Sequence, residues 1–142
     1  MTIKTYLGFD VGTKRTGIAI ANSLTSQASG IETVVHHKDG STNWPQLERL
    51  INKHQADILV VGLPLDDKGK EQEMTFIARS FGKKLEQRFS KEVVFIDEYL
   101  SSSEAKNQLK WHYAHKNADR ADVDKRSAEL ILQTWLNETR HD

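Results

Sequence analysis

Residues 6–22, YLGFDVGTKRTGIAIAN, decide the fold. From Ile3 to Val11 the chain alternates, with Ile3, Thr5, Leu7, Phe9 and Val11 on one face and Lys4, Tyr6, Gly8 and Asp10 on the other. That period of two predicts a strand, and it points Asp10 away from Leu7 and Phe9. After the glycine turn, Gly17 to Ala21 resumes with Ile18 and Ile20 opposed by small residues, the second arm of a hairpin. An acid before a glycine is most often only a turn former. Here Asp10 also closes an apolar strand, with threonines, Lys14 and Arg15 beyond it, and this makes it a candidate metal ligand.

Outward from the hairpin, Ile31 to His36 is β-rich and completes a three-stranded antiparallel meander. NWPQLERLINKHQ (43–55) repeats Trp44, Leu47, Leu50 and Ile51 at helical spacing, with Pro45 suited to a first turn. DILVVGLP (57–64) carries the unbroken apolar run Ile58 to Val61 expected of a strand covered on both faces. A helical stripe runs from Glu71 to Phe89, and EVVFIDE (92–98) is a second buried strand. Ser101 and Glu104 have capping-box spacing for a following helix, AHKNADRAD (114–122) reads as a surface loop, and Val123 to Leu136 is helical. The expected architecture is α/β: a five-stranded mixed sheet, three antiparallel strands then two parallel ones, with helices on both faces. A length of 142 residues suits one domain over 1–142.

Twenty basic and twenty acidic side chains cancel, so no global field attracts a polyanion or a membrane, and any nucleic-acid site must be local. The absence of cysteine excludes disulfides, thiolate zinc sites and cysteine nucleophiles. With no charged-then-apolar leader and no long hydrophobic span, a cytoplasmic protein without a membrane partner is expected.

Acidic residues stand at three element ends. Asp10 closes the first strand, Asp97 and Glu98 close the last, and Asp124 falls in the first turn of the final helix. Asp124 shares its helical face with Ser127, Ala128, Ile131 and Trp135, so it projects along the inward stripe. Alternation sends Asp97 and Glu98 to opposite faces without selecting between them. If the first strand is central and lies beside the fourth, Asp10, Asp124 and one of Asp97 and Glu98 meet beyond the same strand ends, where open α/β sheets keep their ligands. Clustered carboxylates need a cation. Oxygen donors without thiolate favour Mg2+ or Mn2+ over zinc. Two such ions about 4 Å apart suit in-line attack on a phosphodiester. Lys14 and Arg15 beside the turn are candidate phosphate contacts. Lys116 and Arg120 belong to a basic tract interleaved with Trp111 and Tyr113, a pattern suited to unpaired RNA bases. GLPLDDKGK lacks P-loop spacing, and the histidines lack zinc spacing.

GFDVGTKRTGIAI, DILVVGLPLDDKGKEQ, FIDEYLSSSEA and VDKRSAELILQTWL resemble, in order, the four motif regions of the YqgF family, over nearly the whole chain. The resemblance implies an RNase H-like fold and a metal-dependent nuclease whose ligand acids match Asp10, Glu98 and Asp124. It thereby chooses Glu98 over Asp97. Members are associated with maturation of the 5′ end of the small-subunit (16S) rRNA precursor, and have been described as Holliday-junction resolvases. The substrate implied is therefore precursor rRNA or branched DNA, acted on by a monomer or, for paired junction cuts, a homodimer. One departure stands out: the arginine usual in the family's D-E-R-L motif is Tyr99 here, which cannot make a bidentate phosphate contact. That leaves a catalytically weak RNA-binding assembly factor as an alternative expectation. DVGTKRTG also resembles the phosphate loop of actin-like ATPases, but those close nucleotide between two such lobes and this chain has room for one.

Overall fold

The alternating segment around Phe9 forms β1 (Thr5–Val11), which pairs antiparallel with β2 (Arg15–Asn22); β2 in turn pairs antiparallel with β3 (Ser29–Val35). The apolar runs form β4 (Ile58–Pro64) and β5 (Glu92–Glu98), parallel to one another, with β4 parallel to β1. The sheet order is β3-β2-β1-β4-β5, so β1 is central and its end at Asp10 lies at the same sheet edge as the ends of β4 and β5. This computed structural model describes residues 2–98 and 120–139. Lys116, Tyr99, the Ser101–Glu104 capping pair and most of the basic tract, Trp111 and Tyr113 included, lie outside the described residues.

Among the described residues three helices cover the two faces. On one, α1 (Trp44–His54) and α2 (Glu73–Phe89) bury Leu47, Leu50, Ile51, Ala78, Phe81 and Leu85 against Leu7, Phe9, Ile18 and Val34. The α1 start is set by Asn43, whose side chain accepts from the Gln46 amide, and by Pro45 in the first turn. Trp44 stacks on Phe81 with ring centroids 5.8 Å apart, tying α1 to α2. On the other face α3 (Arg120–Glu138) packs Ala128, Ile131, Leu132 and Leu136 against Ala19, Ala21, Val60 and Ile96. Among the described residues no helix is long and apolar enough to cross a membrane.

The α3 face of the sheet is surfaced by glycine and alanine, and this is why one helix can lie so close to it. Gly8, Gly17, Gly30 and Gly62 come from four neighbouring strands, and a Cβ at any of them would run into α3 or a side chain beneath it. Closest is Gly17, where the obstacle is the backbone carbonyl of Asp124. Glycine inside a strand commonly marks such an approach of another backbone.

Several element bounds shift by one to three residues from the sequence expectation, and two of the shifts bear on the site. β2 begins at Arg15, not Gly17, because Arg15 pairs with Val35 of β3 and Thr16 with Val11 of β1. The turn is thereby confined to residues 12–14. The final helix starts at Arg120, three residues before the expected Val123, and its first turn is tied down by the Thr33 hydroxyl donating to the Ala121 carbonyl at 2.7 Å. Residues 120–122, expected in a surface loop, are thus helical. The acid of the first turn is Asp122, and Asp124 stands beyond it, so helix-dipole compensation does not account for Asp124.

Candidate active site

Strand alternation and helix phase put the three singled-out acids on one face and at one end. Asp10 follows Gly8 on the α3 side of β1 and pairs in register with Gly17, against which the Asp124 backbone is packed. On β5, Ile96 packs into the α3 cluster, and Glu98, two residues on, shares its side; a Cβ at Gly62 would meet Glu98 Oε2 at 2.8 Å and Ile131 Cδ1 at 2.8 Å. Asp97 is exposed and alternates with Val93 and Phe95, which pack toward α1 and α2. Glu98 is therefore the strand-end acid that faces α3. The Glu98 carbonyl accepts from the Leu65 amide at 2.8 Å, which holds the end of β5 to the loop after β4.

Arg15 is not a fully solvated hairpin tip. Its Nε donates to Asp124 Oδ2 at 2.7 Å, joining β2 to α3 across 109 residues of chain. Both side chains are mostly covered, at 27% and 18% exposure, so this ion pair is less screened than a surface one. Lys14 is exposed on the turn, and Arg120 is exposed at the first residue of α3. Among the described residues no three His, Asp or Glu side chains are gathered into a ready cage for an ion. Asp10, Glu98 and Asp124 thus share an edge and a face, with one cation, the Arg15 guanidinium, already at Asp124.

On the opposite side of the turn, Thr16 is fully buried and its hydroxyl is 2.7 Å from His36 Nε2. Burial of His36, and after it the nearby His37, lowers the His36 pKa below its ordinary value. The native state then binds fewer protons than the unfolded chain between that lowered value and about 6.5, so stability falls as pH drops through this window and is recovered above it. Urea unfolding of wild type and His36→Gln at a series of pH values is expected to show this fall in the wild type and a flatter profile in the variant.

A sequence model of the family described as "RuvX: Holliday junction resolvase" matches residues 4–138. The chain belongs to the RuvX/YqgF family. RuvX relatives bear this out over nearly the full length. A protein of Aeromonas salmonicida (strain A449) named "Putative pre-16S rRNA nuclease" is 43% identical, covering 97% of this chain and 98% of its own. One of the same name from Coxiella burnetii (strain RSA 493 / Nine Mile phase I) is 38% identical over 96% and 94%. Among solved structures, the Fowlpox virus resolvase with substrate Holliday junction DNA superposes with a TM-score of 0.57 at 11% identity, covering 96% of this chain and 99% of that one. T. thermophilus RuvC in complex with a Holliday junction substrate gives 0.56 at 11% identity, over 97% and 96%. These neighbours establish the RNase H-like fold of this RuvX chain; its nuclease character follows from the family and the relatives' names.

Sequence reasoning missed two participants. Gly17 carried a signal, a glycine inside a strand, which marks close backbone approach. The commitment of Arg15 to Asp124 carried none, since nothing local connects residues so far apart in the chain.

Proposed function

We propose that this protein is a divalent-metal-dependent nuclease that processes the 5′ end of precursor 16S rRNA, acting in the cytoplasm. The single observation that carries the reading is the placement of Asp10, Glu98 and Asp124 on the α3 face at one sheet edge, with Arg15 bonded to Asp124. Substrate identity rests on the full-length relatives named pre-16S rRNA nucleases.

The donor chemistry suits a hard cation, carboxylate oxygens with no thiolate, while the Arg15 guanidinium at Asp124 competes with it for one of those carboxylates. Asp10, Glu98 and Asp124 are the residues that would hold Mg2+ or Mn2+. Such an ion, when bound, supplies activation of water and neutralisation of the leaving oxygen. Asp10 is set by the β1–β2 ladder, and Asp124 by the seating of its own backbone on Gly17. Arg15 offsets the Asp124 charge, and Lys14 and Arg120, both exposed, would meet substrate phosphates. Lys116 joins them in this proposal on the sequence pattern alone. Because Arg15 and a metal ion draw on the same carboxylate, Arg15→Gln is expected to bind Mn2+ severalfold more tightly than wild type in calorimetry without nucleic acid, at some loss of stability.

Junction resolution is the second reading, favoured by the family description and by neighbours solved with Holliday junction DNA. Labelled precursor rRNA and a four-way DNA junction, each incubated with Mg2+, Mn2+ or chelator, separate the two. Cleavage of the RNA near its mature 5′ end, lost with chelator, is expected. Paired symmetric cuts in the junction by a dimer, with the RNA intact, would replace the first reading by the second.

A further inference from the structure

The β1–β2 turn has two sides. The acids lie on one; on the other, a cleft of about 540 Å³ opens between the turn and α2, and the mechanism makes no use of it. Thr13, His36, Phe76, Ser80 and Lys84 line it, and among the described residues no carboxylate does. Phe76, Ser80 and Lys84 follow at intervals of four, so they stack on one face of α2 as a ring, a hydroxyl and an ammonium spread over about 12 Å. Phe76 is 59% exposed although it sits among packing residues of an amphipathic helix. A large exposed ring on this face has no reason in the core, where Ala78, Phe81 and Leu85 already fill the space under α2. In the wall opposite, the His36 ring bonds to Thr16 through Nε2 and its Nδ1 has no hydrogen-bond partner among the described residues.

We infer that this cleft is a nucleotide subsite, taking an unpaired base of an RNA strand on Phe76 and a neighbouring phosphate on Lys84, for the strand whose scissile bond lies across the turn at the carboxylates. An aromatic face, a hydroxyl and a cation, with no competing acid among the described residues, are the chemistry of sequence-tolerant single-strand binding. The volume is in the range of small-ligand clefts. Continuity with the candidate active site is direct: Val11, Gly12 and Thr13, which border the cleft, follow Asp10 in the chain. A duplex offers no free base face, so the subsite selects substrates with an unpaired stretch next to the cut.

The inference rests on the nucleic-acid reading above, and the test separates the two. A fluorescent, unstructured oligoribonucleotide of about ten nucleotides is titrated by anisotropy in chelator, so that no cleavage occurs. Phe76→Ala is expected to weaken binding about tenfold, the scale of one lost base stack, with the salt slope unchanged, whereas Phe76→Trp keeps or tightens it. Lys84→Ala is expected to make the slope of log K against log salt shallower by about 0.7, one single-strand phosphate contact. Asp10→Asn binds at least as well as wild type. Wild-type binding that Phe76→Ala and Lys84→Ala leave untouched overturns the subsite alone. No binding by wild type in any salt overturns the subsite and the RNA reading together.

Discussion

Asp10→Asn is expected to reduce cleavage of precursor rRNA by about a thousandfold while the protein remains folded. The asparagine keeps the shape of the side chain and the β1–β2 pairing with Gly17, so the sheet has no reason to open. What it removes is a full negative charge at the strand end. Transition-state stabilisation by a metal ion amounts to several kcal/mol, and each 1.36 kcal/mol is a factor of ten in rate, so loss of one ligand costs about 10^3. Glu98→Gln and Asp124→Asn are expected to behave alike in single-turnover cleavage, but Asp124→Asn should also lower the melting temperature, because it strips Arg15 of its charged partner. Asp97→Asn, on the exposed side of β5, is the control and should cleave as wild type does. Undiminished activity in all three of the first set would remove the metal-site assignment.

Gly17→Ala is expected to be the most damaging single-methyl change in the molecule. The new Cβ would stand inside the Asp124 carbonyl, which is backbone in the body of a helix and has no rotamer to yield with. Either α3 lifts from the sheet, loosening Ala128, Ile131 and Leu132 from their contacts, or β2 bends away from β1. Overpacking of this kind costs about 3 kcal/mol, which for a chain of this size lowers the melting temperature by roughly 10 °C. Because the obstacle belongs to Asp124 itself, cleavage should fall more than stability alone explains. Gly62→Ala makes a useful contrast. Its obstacles are Glu98 Oε2 and the end of Ile131, both of which can swing aside, so a smaller loss of stability is expected, with Glu98 displaced. Equal melting temperatures for Gly17→Ala and wild type would show that α3 is not seated as described.

Much of this organisation is legible in order along the chain. The alternation of Leu7 and Phe9 against Gly8 and Asp10 sorts that strand's two faces without reference to any other element, because side-chain direction in a strand is a local property. The same holds for the unbroken run of Ile58 to Val61, which signals two covered faces, and for the stripes of α1 and α2. The start of α3 was not legible, since its anchor, Thr33, is 88 residues away in β3. Nor does alternation choose between Asp97 and Glu98: it says only that they face apart, the choice of Glu98 comes from the family resemblance, and the side on which α3 lands shows that Glu98 is the one facing that helix.

Sequence by itself therefore determined the elements, their inward faces, the mixed sheet and the acids worth watching, all consequences of periodicity and of short-range turn and cap chemistry. Only the tertiary structure decided that Glu98 faces α3, that Arg15 answers Asp124, that Gly17 sets the height of the helix over the strand ends, and that a cleft bearing Phe76 and Lys84 opens behind the turn. Those depend on the crossing of α3 over β2 and β1, a contact between segments more than a hundred residues apart that no local pattern encodes.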